Sequence, residues 1–157
     1  MTGEFARWMY RGGRPNLLAR IMNRAGAIVF ARGVARDYLV TLEVTGRRSG
    51  RPISLPLVMA IVDGQRYLVS MLGESAAWVR NIRAAGGKAI LHHGHREEVC
   101  LEEVPASRRA PILKAYLQCA PGARPHVAVD RNAPLFEFEQ IAASIPVFRV
   151  QQLGVKP

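Results

Sequence analysis

Residues 37–71 read DYLVTLEVTGRRSGRPISLPLVMAIVDGQRYLVSM, and this stretch decides the fold. The run 37–45 is rich in β-branched and aromatic residues, which suit a pleated, half-buried surface. The segment 46–51 (GRRSGR) interrupts it with two glycines, and 52–62 resumes the strand pattern. Pro52 and Pro56 cannot donate to a ladder, so that strand is expected at an edge or a bulge. Asp63-Gly64 is a strong hairpin signal, and 66–71 is a third strand. Strands joined by such short turns are antiparallel neighbours.

The pattern continues outward. After a loop with Gly73, 76–85 reads as a short helix ended by Gly86 and Gly87. A hairpin follows, turning at His93-Gly94, then a helix over 107–119 with Pro111 near its start. A loop rich in Pro and Gly runs to Ala133, Pro134 opens a helix to about 143, and 146–152 is a last strand. Upstream, Leu17, Leu18, Ile21, Met22, Ala25, Ile28 and Val29 recur at helical spacing over about 15–32, with Arg20, Asn23 and Arg24 opposite. Strands are thus expected near 38–45, 52–62, 66–71, 88–93, 95–104 and 146–151. Six strands most readily close into a barrel, which removes exposed edges. The expectation is a mainly β (α+β) chain, a single domain over 1–157, built as a mostly antiparallel barrel with flanking helices.

Composition agrees with a globular protein: 49% of the 157 residues are hydrophobic and 22% charged. The longest apolar run, 57–62, is far short of the roughly 20 residues a spanning helix needs. The first fifteen residues lack the apolar core of a secretory signal, so a cytoplasmic location is expected. Cys100 and Cys119 form no C-x-x-C pair and read as buried free thiols. The net charge is +10, and residues 1–51 carry ten basic against three acidic side chains. That imbalance points to an anionic partner, either a small molecule, a nucleic acid or a membrane surface. The helix at 15–32, basic on one face and apolar on the other, is the candidate for peripheral membrane contact.

The sharpest local feature is TGRRSGRP (45–52). Glycines allow positive φ and close backbone approach, successive turn N–H groups form an anion nest, and arginine adds bidentate donors for phosphate. The loop lacks the spacing and lysine of a P-loop, and it does not match G-x-G-x-x-G. His92, His93 and His95 surround a turn glycine and read as a solvated hairpin tip, with no metal site. His126 stands alone without a role. No Ser-His-Asp order, H-E-x-x-H or paired-carboxylate pattern is present. Any chemistry therefore falls to a cofactor. In WVRNIR (78–83), helical spacing puts Trp78, Asn81 and Ile82 on one face, and a buried Asn81 amide needs partners from a neighbouring loop or a ligand.

Taken together, LEVTGRRSGRPISLPL (42–57), DGQRYLVSMLGESAAWVRNIRAAG (63–86), a hairpin, a helix and IPVFRV (145–150) resemble the deazaflavin-dependent nitroreductase and quinone reductase family. The resemblance spans about 15–150, and T-G-R-x-S-G-x-P paired with W-x-x-N is its most specific part. It implies a split β-barrel related to flavin-binding pyridoxamine-phosphate oxidases. It also implies coenzyme F420, a deazaflavin carrying a phosphodiester and an oligoglutamate tail. By position, Arg47, Arg48, Ser49 and Gly50 would hold the phosphate, and Arg51 and Pro52 would line the same channel. Leu55, Pro56 and Leu57 would lie along the cofactor. Ser70, Met71, Leu72 and Gly73 would present backbone to the ring, while Ala77, Trp78 and Asn81 would close the site.

This chain departs from some members in having Ile53 after the loop proline, where they are basic, and Leu72-Gly73 where they have Ser-Lys. The resemblance implies hydride transfer from reduced F420 to a small acceptor, either an activated alkene, a quinone or a nitro compound. No proton donor is evident, Tyr116 being a remote candidate. A second reading is a non-catalytic or fatty-acid-binding member of the same fold. A third, a basic nucleic-acid-binding barrel, is disfavoured because Trp and Tyr are not interleaved with Arg as stacking platforms are. The expected partner is thus a small molecule and no nucleic acid, with the chain a monomer or homodimer.

Overall fold

The structure is a computed structural model that describes residues 38–153. The helix expected at 15–32, and with it the membrane contact, lies outside the described residues. Six strands are present: β1 (Leu39–Thr45), β2 (Pro52–Val62), β3 (Gln65–Val69), β4 (Lys88–His92), β5 (Arg96–Glu103) and β6 (Val147–Gln152). They close into a barrel in the order β1-β2-β3-β6-β5-β4, every pair antiparallel. Helices α1 (Ala77–Ala84), α2 (Ala110–Cys119) and α3 (Leu135–Ile141) flank it. Among the described residues no helix is long and apolar enough to cross a membrane.

The expected strands are all present, with shifted ends. β3 stops at Val69 rather than residue 71, because the Ser70 hydroxyl donates to the Gly73 carbonyl at 2.7 Å and turns the chain. The helix expected from 107 begins as a 3-10 turn, Ala106–Arg108, and becomes α-helical at Ala110. The loop before Ala133 holds a 3-10 helix, Pro121–His126, that its prolines conceal in the sequence. Arg124 ties this turn down by donating to the Leu117 and Gln118 carbonyls at the end of α2, and Lys114 donates to the Ala133 carbonyl.

Strand periodicity places two cores. Val40, Leu42, Val44, Met59, Leu68, Val99, Leu101, Phe148 and Val150 point into the barrel, where α1 adds Trp78, Val79 and Ile82 as a plug. Alternate residues of the same strands, Ala60, Val69 and Val147, face outward and pack under α2 and α3 with Leu113, Leu117 and Phe138. Met59 and Ala60 are buried on opposite faces while Ile61 is exposed, so two-sided burial accounts for only part of the apolar run 57–62.

The pairing of β2 is divided. Pro52 to Val58 pair with β1, and Met59 to Val62 pair with β3. The first half of β2 therefore has a second edge with no strand beside it. Pro52 and Pro56 sit there, as their missing N–H groups require. This split opens the barrel where the 46–51 loop, the 70–73 turn and α1 converge.

Away from that opening, Arg66 on β3 donates to both carboxylate oxygens of Glu97 on β5, at 2.9 and 2.7 Å. Hydrogen bonding to Arg66 holds the Glu97 carboxyl below its usual range against the opposing effect of burial. A lowered native pKa stabilises the fold above the unfolded carboxyl value, about 4.3, and that stability is lost as pH falls through the native value. Glu97→Gln is expected to cost about 1–3 kcal/mol at pH 7. In urea melts, the gap from wild type should shrink at pH 3.

Candidate active site

The 46–51 loop is tightly closed. The Gly46 N–H donates to the Arg51 carbonyl at 2.8 Å, and the Gly50 N–H to the Gly46 carbonyl at 2.9 Å. Gly50 has φ +68°, a left-handed value that disfavours side chains. Ser49 turns inward, its hydroxyl accepting from the Arg51 N–H at 3.2 Å. The backbone donors of Gly46, Arg47, Gly50 and Arg51 are thus engaged within the protein. The loop's remaining donors belong to Arg48 and Ser49, so the anion nest is narrower than the sequence suggests. Arg48 and Arg51 are exposed and Arg47 is half-buried. Ile53, one of the two departures, reaches the Cα of Gly46: a Cβ there would lie 2.8 Å from its Cδ1.

The buried amide of Asn81 finds its partner in this loop, not in the sequence-adjacent Gly73 loop. Its Oδ1 accepts from the Arg47 backbone N–H at 3.2 Å and from Arg47 Nη1 at 2.9 Å. One side chain on α1 thereby fixes both the backbone and the guanidinium of a residue 34 positions earlier. Asn81→Leu keeps the branched shape at a somewhat larger volume and removes the one acceptor of both bonds. It is expected to cost about 1 kcal/mol in chemical denaturation, since a part-buried N–H and the Arg47 guanidinium lose this acceptor. Asn81→Asp retains an acceptor and should fall near wild type.

Trp78 lies one turn before Asn81 and packs on Phe148, with ring centroids 5.5 Å apart and planes at 57°. Ala77 beside it is half-buried. Leu55, Leu57 and Leu72 pack, part-exposed, on the same core and form an apolar shelf at the split. Pro56, between Leu55 and Leu57 in the strand, faces the opposite side of β2.

The 70–73 turn borders the shelf. Ser70 is buried, its N–H donating to the Pro146 carbonyl at 3.0 Å, and the Gly73 N–H donates to the Ser70 carbonyl at 3.0 Å. Met71 and Leu72 carry the turn's remaining donors. Gly73 has φ +79°, and a Cβ there would stand 3.2 Å from the Ser144 carbonyl, so the close approach requires glycine. On its far side the turn lines a groove of about 400 Å³, with His126, Val127 and Ile141 opposite.

Several side chains stand differently from expectation. Tyr116 is buried under α2 in the outer core, and burial pushes its phenol up, so it cannot serve as a proton donor at the split. His92 is not merely solvated: it meets Glu43 across β1 and β4 at 2.9 Å. Cys100 and Cys119 are free and half-buried rather than fully buried. Among the described residues no three His, Cys, Asp or Glu side chains gather as a metal site.

The family model for F420H(2)-dependent quinone reductases matches residues 18–140, most of the chain. The chain belongs to this family. The F420H(2)-dependent quinone reductase fold is shared with solved structures at low identity. One is an F420-H2 dependent reductase (FDR-A), 19% identical, with 75% of this chain and 97% of that chain covered and a TM-score of 0.50. Another is the protein Atu2129 from Agrobacterium tumefaciens, 14% identical, with 84% and 55% covered and a TM-score of 0.55. A third is an FMN-binding protein related to pyridoxamine 5'-phosphate oxidase, from Nostoc punctiforme, 14% identical, with 83% and 78% covered and a TM-score of 0.50. No curated protein matches. The family membership agrees with the resemblance carried by 42–57 and 63–86.

Proposed function

We propose that this F420H(2)-dependent quinone reductase family member reduces a small apolar acceptor using coenzyme F420. The observation that carries the reading is the double hydrogen bond from Arg47 to Asn81. It sets an arginine loop beside an apolar shelf at the one place where β2 leaves an edge open.

The residues fit an anionic, planar coenzyme. Arg47, Arg48 and Arg51 supply cationic donors, and the Arg48 and Ser49 N–H groups add a short nest for a phosphate. Leu55, Leu57 and Leu72 offer apolar surface for a ring, and the N–H groups of Met71 and Leu72 can meet its polar edge. When bound, the reduced coenzyme supplies a hydride. The chain's own residues bind, orient and exclude water. Asn81 on α1 ties the loop in place before any ligand arrives, which reduces the ordering cost of binding.

Fluorescence titration with F420, run beside FMN, tests the reading. Saturable F420 binding that is stronger than FMN binding, and that weakens with salt, is the expected result. Equal or absent binding of both, with binding of a fatty acid instead, would favour the non-catalytic alternative.

A further inference from the structure

Both margins of the 70–73 turn trace back to one carboxylate. On one margin stands Glu74, the residue after Gly73. It accepts two hydrogen bonds from a single guanidinium on α1, from Arg83 Nη1 at 2.6 Å and from Nη2 at 3.3 Å. The same guanidinium donates through Nε and Nη2 to the two oxygens of Glu103, at the end of β5.

On the other margin, the Ser70 N–H donates to the Pro146 carbonyl. The residues before Pro146 are held by Arg109, which is buried and donates to the Ala142 and Ile145 carbonyls at 3.0 and 3.1 Å. Arg109 also reaches Glu103, at 3.5 Å. Glu74, Arg83, Glu103, Arg109, the 142–146 segment and Ser70 thus close a ring of contacts around the turn.

The same short helix carries two ties. Asn81 fixes the arginine loop through Arg47, and Arg83, two residues on, fixes the turn through Glu74. Arg83 and Glu74 are exposed, and exposed ion pairs contribute little to global stability. A guanidinium that meets two carboxylates through several bonds nevertheless fixes direction as well as distance.

We propose that Arg83 is a positioning residue: through Glu74 it holds the 70–73 turn where the coenzyme ring meets it, while Asn81 on the same helix holds the phosphate loop. This rests on the F420 reading. The two carboxylates occupy the Arg83 guanidinium, so the role needs no contact with the coenzyme. Losing the tie lowers the fraction of molecules whose turn is ready to bind, and apparent affinity falls by that fraction.

The test uses the whole chain with three probes: F420, a phosphate-free ribityl deazaflavin, and inorganic phosphate read by its displacement of F420. Arg83→Met keeps the apolar stem and removes the cation, and Glu74→Ala removes its partner. Each variant is expected to bind F420 and the ribityl deazaflavin about two- to fivefold more weakly than wild type, a modest effect because an exposed tie is weak. Phosphate should bind as it does to wild type, since the Asn81 tie to the loop is intact. The double variant should bind F420 no more weakly than Arg83→Met alone, as for two groups that act through each other. Wild-type affinity for F420 and the ribityl deazaflavin in both single variants overturns the proposal. Equal weakening of the ribityl deazaflavin and phosphate, together with a fall in Tm, marks a merely structural role and also overturns it. Failure of F420 to bind the wild type overturns the functional reading, and this proposal with it.

Discussion

The double variant Arg47→Ala, Arg48→Ala is expected to bind coenzyme F420 on the order of a hundredfold to ten-thousandfold more weakly than wild type. Each arginine that donates to a phosphate oxygen makes a charge-assisted hydrogen bond worth roughly 1.5–3 kcal/mol. Two such losses add to about 3–6 kcal/mol, and every 1.4 kcal/mol is tenfold in affinity. Arg48→Ala alone should cost about tenfold to a hundredfold. The fold should tolerate it, because Arg48 is exposed and makes no contact the barrel depends on. Arg47→Ala is less clean, since it also removes the guanidinium bond to Asn81. Salt sharpens the test: screening weakens a charged contact only where one exists, so wild-type affinity should fall more steeply with ionic strength than that of the double variant. Titration curves unchanged across all three proteins would end the phosphate-cradle reading.

The barrel was legible in the sequence because its signals are local. Period-2 alternation, Asp63-Gly64 and the His93-Gly94 turn each act over a few residues, and the strands they imply are present. Even the oddity of Pro56 within a strand pointed correctly to an edge. What escaped were contacts between distant residues. The sequence shows that Asn81 shares a face with Trp78, but not that its acceptor meets Arg47 rather than the adjacent loop. It shows two glycines and three arginines at 46–51. It does not show that four of the loop's backbone donors are spent internally.

His126 illustrates the same limit from the other side. A lone histidine in a loop of prolines carries no pattern. Its place opposite Met71 and Leu72 follows from Arg124 reaching the end of α2 and from a 3-10 turn that prolines seemed to forbid. Pro121 stands at the start of that turn, where its missing N–H is not needed, while Pro125 stands inside it. Tyr116 failed for the converse reason: a tyrosine on an amphipathic helix looks available until the helix is seen to bury that face.

Phe148→Ala should be the most destabilising single change argued for this chain, and it also tests how the site is supported. Phe148 is 1% exposed and packs against Trp78 in the barrel core. Truncating a buried phenylalanine costs about 3–5 kcal/mol, the lost transfer energy plus the cavity left behind. For a domain of this size that is a drop of roughly 10–20 °C in Tm. The cavity would open directly beneath α1, the helix whose Asn81 fixes Arg47. If α1 acts as a rigid post for the loop, loosening its base should also weaken F420 binding, although Phe148 lies in the core and not on the coenzyme shelf. Phe148→Leu, which fills most of the space, should recover both stability and affinity. Calorimetry and coenzyme titration on the two variants separate the possibilities. Affinity that falls and recovers in step with Tm supports the post. A Tm that falls while affinity stays at the wild-type value would mean that the closed 46–51 loop holds its own shape, with the Asn81 tie adding stability but no binding.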